Sequence, residues 1–156
     1  MKKEIRSAVN FLKNLLRTRN ITDQRLDVFA KQLHDVLKLH YQQHWFPENP
    51  HKGSAYRCLR TCCNRMDPLI ARAGELAGLS LTELHDLLPK ELTIWIDPAD
   101  VSYRIGEEGS ICVLYECTNN STKFSADLLR SCKDEVMGLN FTADHLHPRF
   151  AVAACL

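Results

Sequence analysis

Apolar residues recur at three- and four-residue steps near the start of the chain: Ile5, Ala8, Val9, Leu12, Leu15 and Leu16. That spacing matches the α-helical turn and predicts an amphipathic helix over residues 3–18 with a basic opposite face. Thr22 is suited to cap a second helix, because its hydroxyl can take up one of the amides left free at a helix start. The stripe that follows is Leu26, Phe29, Ala30, Leu33, Val36, Leu37, His40 and Tyr41. A short Asn20-Ile21 joint predicts that the two helices run antiparallel. Pro47 and Pro50 hold an extended loop from Trp45 to Gly53, and Ala55 to Leu59 reads as a strand.

Asp67-Pro68 pairs a capping carboxylate with proline at the first helical position, and the helix it starts runs to Gly78. Ser80 and Glu83 form a capping box for another short helix, stopped by Pro89. Residues 91–97 alternate as a half-buried strand should. Asp97-Pro98 looks like one more capped start, so 98–105 is expected as a short helix ended by Gly106, with a strand as the lesser alternative. Ile111, Val113 and Tyr115 make Ser110 to Glu116 a strand. Beyond Cys117 the periodicity fades, and 118–156 is expected to be a mobile tail with one short ordered patch. The fold class is α+β: an N-terminal antiparallel helix pair, with further short helices packed on a small antiparallel β-sheet.

The informative stretch is Leu92-Thr93-Ile94-Trp95-Ile96-Asp97. Alternate side chains of a strand face opposite sides. Leu92, Ile94 and Ile96 therefore share the core face, and Thr93, Trp95 and Asp97 share the other. Tryptophan on the polar side, beside a hydroxyl and a carboxylate, fits a surface that docks a partner, since Trp, Tyr and Arg dominate binding hot spots. The competing account is that a helix or loop of the same domain covers this face, because Trp is highly buried on average.

Composition narrows the function classes. The 156 residues fit one domain, with 45% apolar and 25% charged residues. A net charge of +1 argues against a surface held on nucleic acid by phosphate neutralisation. Seven cysteines without an even framework read as reduced thiols of cytosol or nucleus. Arg6, Asn10, Lys13 and Asn14 interrupt any signal peptide, and no apolar run approaches a membrane span. Sequons at Asn119, Asn120 and Asn140 would then stay unused.

Two long runs carry a resemblance. Tyr41-Gln42-Gln43-His44-Trp45-Phe46-Pro47-Glu48, followed by Lys52-Gly53-Ser54-Ala55-Tyr56-Arg57-Cys58, resembles box A of the BTG/Tob antiproliferative family. Leu88 to Pro98, continuing Val101-Ser102-Tyr103-Arg104-Ile105-Gly106-Glu107, resembles its box B. The similarity covers residues 1–116 in order and spacing, and Ser110 to Glu116 looks closest to the short-tailed BTG branch. A BTG-like domain is expected over 1–117, with box A about 41–60 and box B about 88–109.

The resemblance implies a non-catalytic adaptor that binds the exonuclease subunit of the CCR–NOT deadenylase. The positions matching the family's binding residues are Tyr56, Trp95 and Asp97, with His40 a fourth. A segment about 127–138 looks like box C, so Ser131, Cys132, Lys133, Asp134 and Glu135 are the implied contacts to poly(A)-binding protein, and an arginine methyltransferase is associated with the same region. A monomer in cytoplasm and nucleus is expected, with no cofactor and no direct nucleic-acid or membrane contact. Departures from the pattern are Thr61-Cys62-Cys63-Asn64-Arg65, one residue longer than the usual link, and Asn140-Phe141-Thr142 in place of a Ser-Pro phosphorylation site.

Other signals are weaker. His40, His44, His51, Cys58, Cys62 and Cys63 invite a zinc reading, but no Cys-x-x-Cys pair exists. No nucleophile elbow or phosphate-binding glycine loop accompanies these residues, so an enzyme is not expected. Leu84-His85-Asp86-Leu87-Leu88 fits LxxLL, and a nuclear transcription cofactor acting through LxxLL or other protein contacts is the alternative function. The same leucines would serve as core of the short helix.

Overall fold

A computed structural model describes residues 1–17, 21–62 and 65–117. Both N-terminal helices form where the apolar spacing puts them: α1 over Lys2–Leu16 and α2 over Asp23–Tyr41. The Thr22 hydroxyl accepts from the Arg25 amide. Lys13, late in α1, reaches Asp27, early in α2, at 2.5 Å, as the antiparallel pairing requires. Ile5, Ala8, Val9, Leu12 and Leu16 are buried against Leu26, Phe29, Leu33 and Leu37 in one core. Burial departs from the expected stripes at Phe11, Leu15 and His40. Phe11 is buried while Leu15 is only half-buried, and His40 is exposed. Tyr41 takes the inward position of the last turn instead, and its hydroxyl donates to the Arg57 carbonyl at 3.0 Å.

The expected strand at 55–59 begins later than the sequence suggested. Gly53 has φ 76, and the chain leaves it as a 3-10 turn over Ser54–Arg57, closed by Tyr56 N–H donating to the Gly53 carbonyl. Only then does β1 run, Cys58–Thr61. Next come α3 (Pro68–Leu76), capped by Asp67, and α4 (Leu81–Leu87), which carries the complete Ser80/Glu83 capping box. These two helices cross closely at Gly74, where a β-carbon would stand 2.6 Å from Leu84 Cδ1. Leu84 and Leu88 are buried and Leu87 half-buried, so the LxxLL leucines enter the core.

The remaining elements are strands: β2 (Leu92–Asp97), β3 (Asp100–Ile105) and β4 (Cys112–Glu116), in an antiparallel meander ordered β1-β2-β3-β4. Residues 98–105 are therefore not a helix. Val101 and Tyr103 are buried while Ser102 and Arg104 are half-buried, which is a strand's alternation. Asp97 pairs directly with Asp100, leaving Pro98-Ala99 as a two-residue turn. Proline fixes the first φ near −65° and Ala99 lies at φ 68, so the chain reverses instead of winding on. The turn is tied down from two sides: Ala99 N–H donates to Glu4 of α1, and its carbonyl accepts from Cys117 N–H at 2.8 Å.

Helix α1 lies on the sheet face that carries Leu92, Ile94, Ile96 and Tyr103, with Phe11 and Tyr103 ring centroids 4.4 Å apart. On the other face Cys58, Arg60, Trp95, Ser102 and Arg104 are half-buried or exposed. Thr93 is the exception, at 9% exposure. Its cross-strand partners are Arg60 and Arg104, residues whose long apolar stems can shield a short neighbour. All these elements belong to one compact unit, Met1–Ser121. The box C-like residues Ser131 to Glu135 lie outside the described residues.

A left-handed conformation costs a non-glycine residue about 1–2 kcal/mol, and glycine's extra backbone entropy returns part of that. Ala99→Gly should therefore stabilise the domain by about 0.5–1 kcal/mol and raise Tm by about 2–4 °C in calorimetry. A lower Tm would show that the turn carries no strain.

Candidate functional site

Sequence reasoning missed the residue on which the candidate site is built. Arg57 ends the 3-10 turn with its side chain fully buried. An arginine there is placed by alternation: residues 57, 59 and 61 share a side, and Leu59 and Thr61 point into the core. A charge in that position must find partners for five donors. All five are used. Nη1 donates to the carbonyls of His44 (2.5 Å) and Lys52 (2.8 Å). Nη2 donates to the Pro50 carbonyl (2.5 Å) and to Asp97 Oδ1 (2.6 Å). Nε is shared between the Ile96 carbonyl and Asp97 Oδ1, both at 3.1 Å. The guanidinium carbon also lies 5.6 Å from the Trp45 ring centroid.

The loop that supplies these carbonyls is a chain of tight turns rather than an extended segment. His44, Asn49, Lys52 and Ser54 each donate a backbone N–H three residues back. Gly53 sits against the hub, where a β-carbon would lie 3.2 Å from Arg57 Nη1 and 3.5 Å from the His44 carbonyl. Trp45 lies flat beside Tyr41 (22° between rings), and Lys52 stands 4.4 Å from the Phe46 centroid.

This hub organises three of the four positions singled out from sequence. Asp97 is on the non-core side of β2, as alternation requires, yet it is not a free acceptor. Both oxygens are engaged, Oδ1 by Arg57 and Oδ2 by the Ser54 hydroxyl at 2.8 Å, and its side chain is 17% exposed. Nor is it a helix cap, since no helix follows it. Trp95 is half-buried on the same face, paired across the sheet with Cys58 and Ser102, with the Arg104 guanidinium 5.9 Å from its ring centroid. Tyr56 lies two residues before Cys58 and is 58% exposed. Its ring stacks on His44, centroids 4.1 Å apart and 3° from parallel. His40 stands exposed in the last turn of α2, its ring 5.7 Å from that of Tyr41. Among the described residues His40 makes no hydrogen bond, ion pair or ring contact with Tyr56, Trp95 or Asp97.

Titration follows burial here. Burial pushes the Tyr41 phenol up, so it remains a donor to the Arg57 carbonyl. Burial likewise pushes the Cys58 thiol up, with Asp67 adding, which opposes a reactive thiolate. The Asp100 carboxyl is pushed up by burial and by the nearby Asp97 and Glu116, against a hydrogen bond from Ser102. Among the described residues no three His, Cys, Asp or Glu side chains are grouped to hold a metal. A cavity of about 120 Å³ beside Thr61, Met66 and His85 is well below the usual size of a small-molecule pocket. No described helix is long and apolar enough to cross a membrane.

A four-stranded meander, covered by helices on one face and flanked by an aromatic turn, defines a two-layer α+β domain. The BTG/Tob domain of C. elegans FOG-3 has this fold, with a TM-score of 0.66 at 22% identity, covering 86% of this chain and 99% of that one. The sequence profile of the BTG family matches residues 1–115. Human Protein BTG2 is 54% identical over 135 residues, 86% of this chain and 83% of its own length. Human Protein BTG1 is 51% identical over 142 residues, with 86% and 82% covered. Human Protein Tob1 is 39% identical, and the match spans 81% of this chain but 36% of Tob1. The chain belongs to the BTG family, whose proteins are antiproliferative.

Removing one member of a buried ion pair typically costs about 3–5 kcal/mol, because the other charge is left without compensation. Arg57→Met and Asp97→Ala should each destabilise the domain by about that amount in urea titrations. An Asp97→Ala protein as stable as wild type would show that the pair does not hold the fold. Asp100 works in the opposite sense. Its raised value means ionisation is disfavoured in the folded chain, so its contribution is intact below the ordinary carboxylate range and is lost as pH rises through the folded value. Asp100→Asn should therefore raise Tm at pH 7 and leave it unchanged near pH 3, as thermal melts across that range will read.

Proposed function

We propose that this chain is a non-catalytic adaptor that binds the exonuclease subunit of the CCR–NOT deadenylase, promotes messenger RNA deadenylation and thereby restrains proliferation. Its membership of an antiproliferative family supports the reading. The observation that carries it is Trp95: a half-buried indole on the non-core sheet face, at the strand end where Tyr56 projects from its turn. Rigid, partly desolvated aromatics of this kind are the usual anchors of protein interfaces. Trp95 fills an apolar pocket of the partner, and Tyr56 adds aromatic area and a hydroxyl. Asp97 contributes chiefly through Arg57, by fixing the turn that presents Tyr56. His40 adds an exposed contact from the end of α2.

The mechanism is proximity. A second contact, from the box C-like segment Ser131 to Glu135 to poly(A)-binding protein, raises the nuclease's effective concentration at the poly(A) tail. An arginine methyltransferase is a further partner of that segment. The protein works as a monomer in cytoplasm and nucleus. For the alternative, a nuclear transcription cofactor acting through LxxLL or other protein contacts, the LxxLL route is disfavoured because Leu84 and Leu88 are 0% and 4% exposed.

Trp95→Ala should weaken binding to the purified exonuclease subunit by about 2 kcal/mol or more, roughly 30-fold, in calorimetric titration. Its thermal melt should stay close to wild type. A drop in Tm beyond about 5 °C would instead identify the indole as core, and wild-type protein that fails to bind the subunit would overturn the proposal.

A further inference from the structure

The His44–Tyr56 stack raises a question that the adaptor reading leaves open: what holds an exposed phenol in one orientation before any partner arrives. Tyr56 is 58% exposed and sits on a 3-10 turn, so the body of the domain grips it little. Among the described residues its side chain has no hydrogen bond and one ring contact, with His44. The two rings lie face to face, 3° from parallel with centroids 4.1 Å apart.

His44 is itself well anchored, and by its backbone. Its N–H donates to the Tyr41 carbonyl at 2.9 Å, and its carbonyl accepts from Arg57 Nη1 at 2.5 Å. Tyr41 and Arg57 are both fully buried. The imidazole therefore stands on a support fixed to the core, and the Tyr56 ring rests on the imidazole. Because the anchoring is through backbone atoms, replacing the side chain removes the stack without removing the support.

We infer that His44 is a positioning residue of the docking surface, which holds the Tyr56 ring in its binding orientation in the free protein. This deepens the adaptor reading and rests on it for the identity of the partner. A side chain ordered beforehand avoids the entropy loss of being immobilised at the interface, an effect of about three- to tenfold in affinity for one such side chain. His44 thus sets affinity through Tyr56, and an aromatic ring of similar size can replace it, whereas a small side chain cannot.

The test uses the full chain with His44→Ala and His44→Phe. In the free protein, Tyr56 side-chain couplings should show rotamer averaging in His44→Ala and a single fixed rotamer in wild type and His44→Phe. A single fixed Tyr56 rotamer persisting in His44→Ala would overturn the inference. Affinity for the purified exonuclease subunit should fall about three- to tenfold in His44→Ala and return in His44→Phe. His44→Phe binding as weakly as His44→Ala would overturn it too, by showing that the imidazole's polar edge meets the partner directly. If wild type does not bind the subunit, the adaptor reading fails while the free-protein spectra still decide whether His44 positions Tyr56.

Discussion

A fully buried guanidinium with every donor used is the constraint around which this domain is arranged. Arg57 takes three carbonyls from one loop, one carbonyl from the central strand and a carboxylate from the end of that strand. Burying a charge is costly unless it is paired and hydrogen-bonded throughout. Here the compensation comes from segments far apart in sequence, so the hub forms only when loop, turn and sheet come together. Its value lies less in net stability, since buried ion pairs are often near break-even, than in allowing one arrangement of those segments. A loop rich in aromatics and prolines could otherwise collapse against the sheet in several ways.

The candidate site inherits its geometry from that hub. Arg57 fixes the turn that carries Tyr56, the carbonyl of the residue on which Tyr56 stacks, and the strand end next to Trp95. The helical layer sits on the opposite side of the sheet and supplies the hydrophobic core. Structure and presentation are thus divided between the two faces of one sheet, with the turn at Pro98-Ala99 tied to α1 through Glu4. The division explains how a half-buried tryptophan and an exposed tyrosine coexist with an otherwise ordinary core.

Most of the helical layer was legible because local chemistry and periodicity agree. Thr22, Asp67 and the Ser80/Glu83 box each cap a helix where their side chains indicate, and the apolar stripes of α1 and α2 become the core. The misreading at 98–105 has a physical cause. Asp followed by Pro suits a helix start and a turn alike, and the decision falls to Ala99, whose left-handed φ no propensity would suggest. Alternation gave the correct face for Trp95 and Asp97 but could not show that Asp97 turns back to Arg57. Arg57 itself was readable in principle, since it shares a side with Leu59 and Thr61. Which carbonyls answer an inward arginine is a tertiary matter that only the closed loop reveals. Thr93 shows the same limit, buried between two arginine neighbours although it lies on the polar face.

The spacing of the hub's acceptors makes the stretch from His44 to Lys52 behave as a ruler. Ordinary surface loops absorb insertions at small entropic cost, but here carbonyls 44, 50 and 52 must all meet one planar cation. Adding or deleting a residue between them would carry at least one acceptor off the guanidinium plane. After β1 the chain is closed differently, by an isolated bridge between Cys62 and Arg65. An insertion or deletion between His44 and Lys52 should therefore cost this domain far more than the same change in an ordinary surface loop.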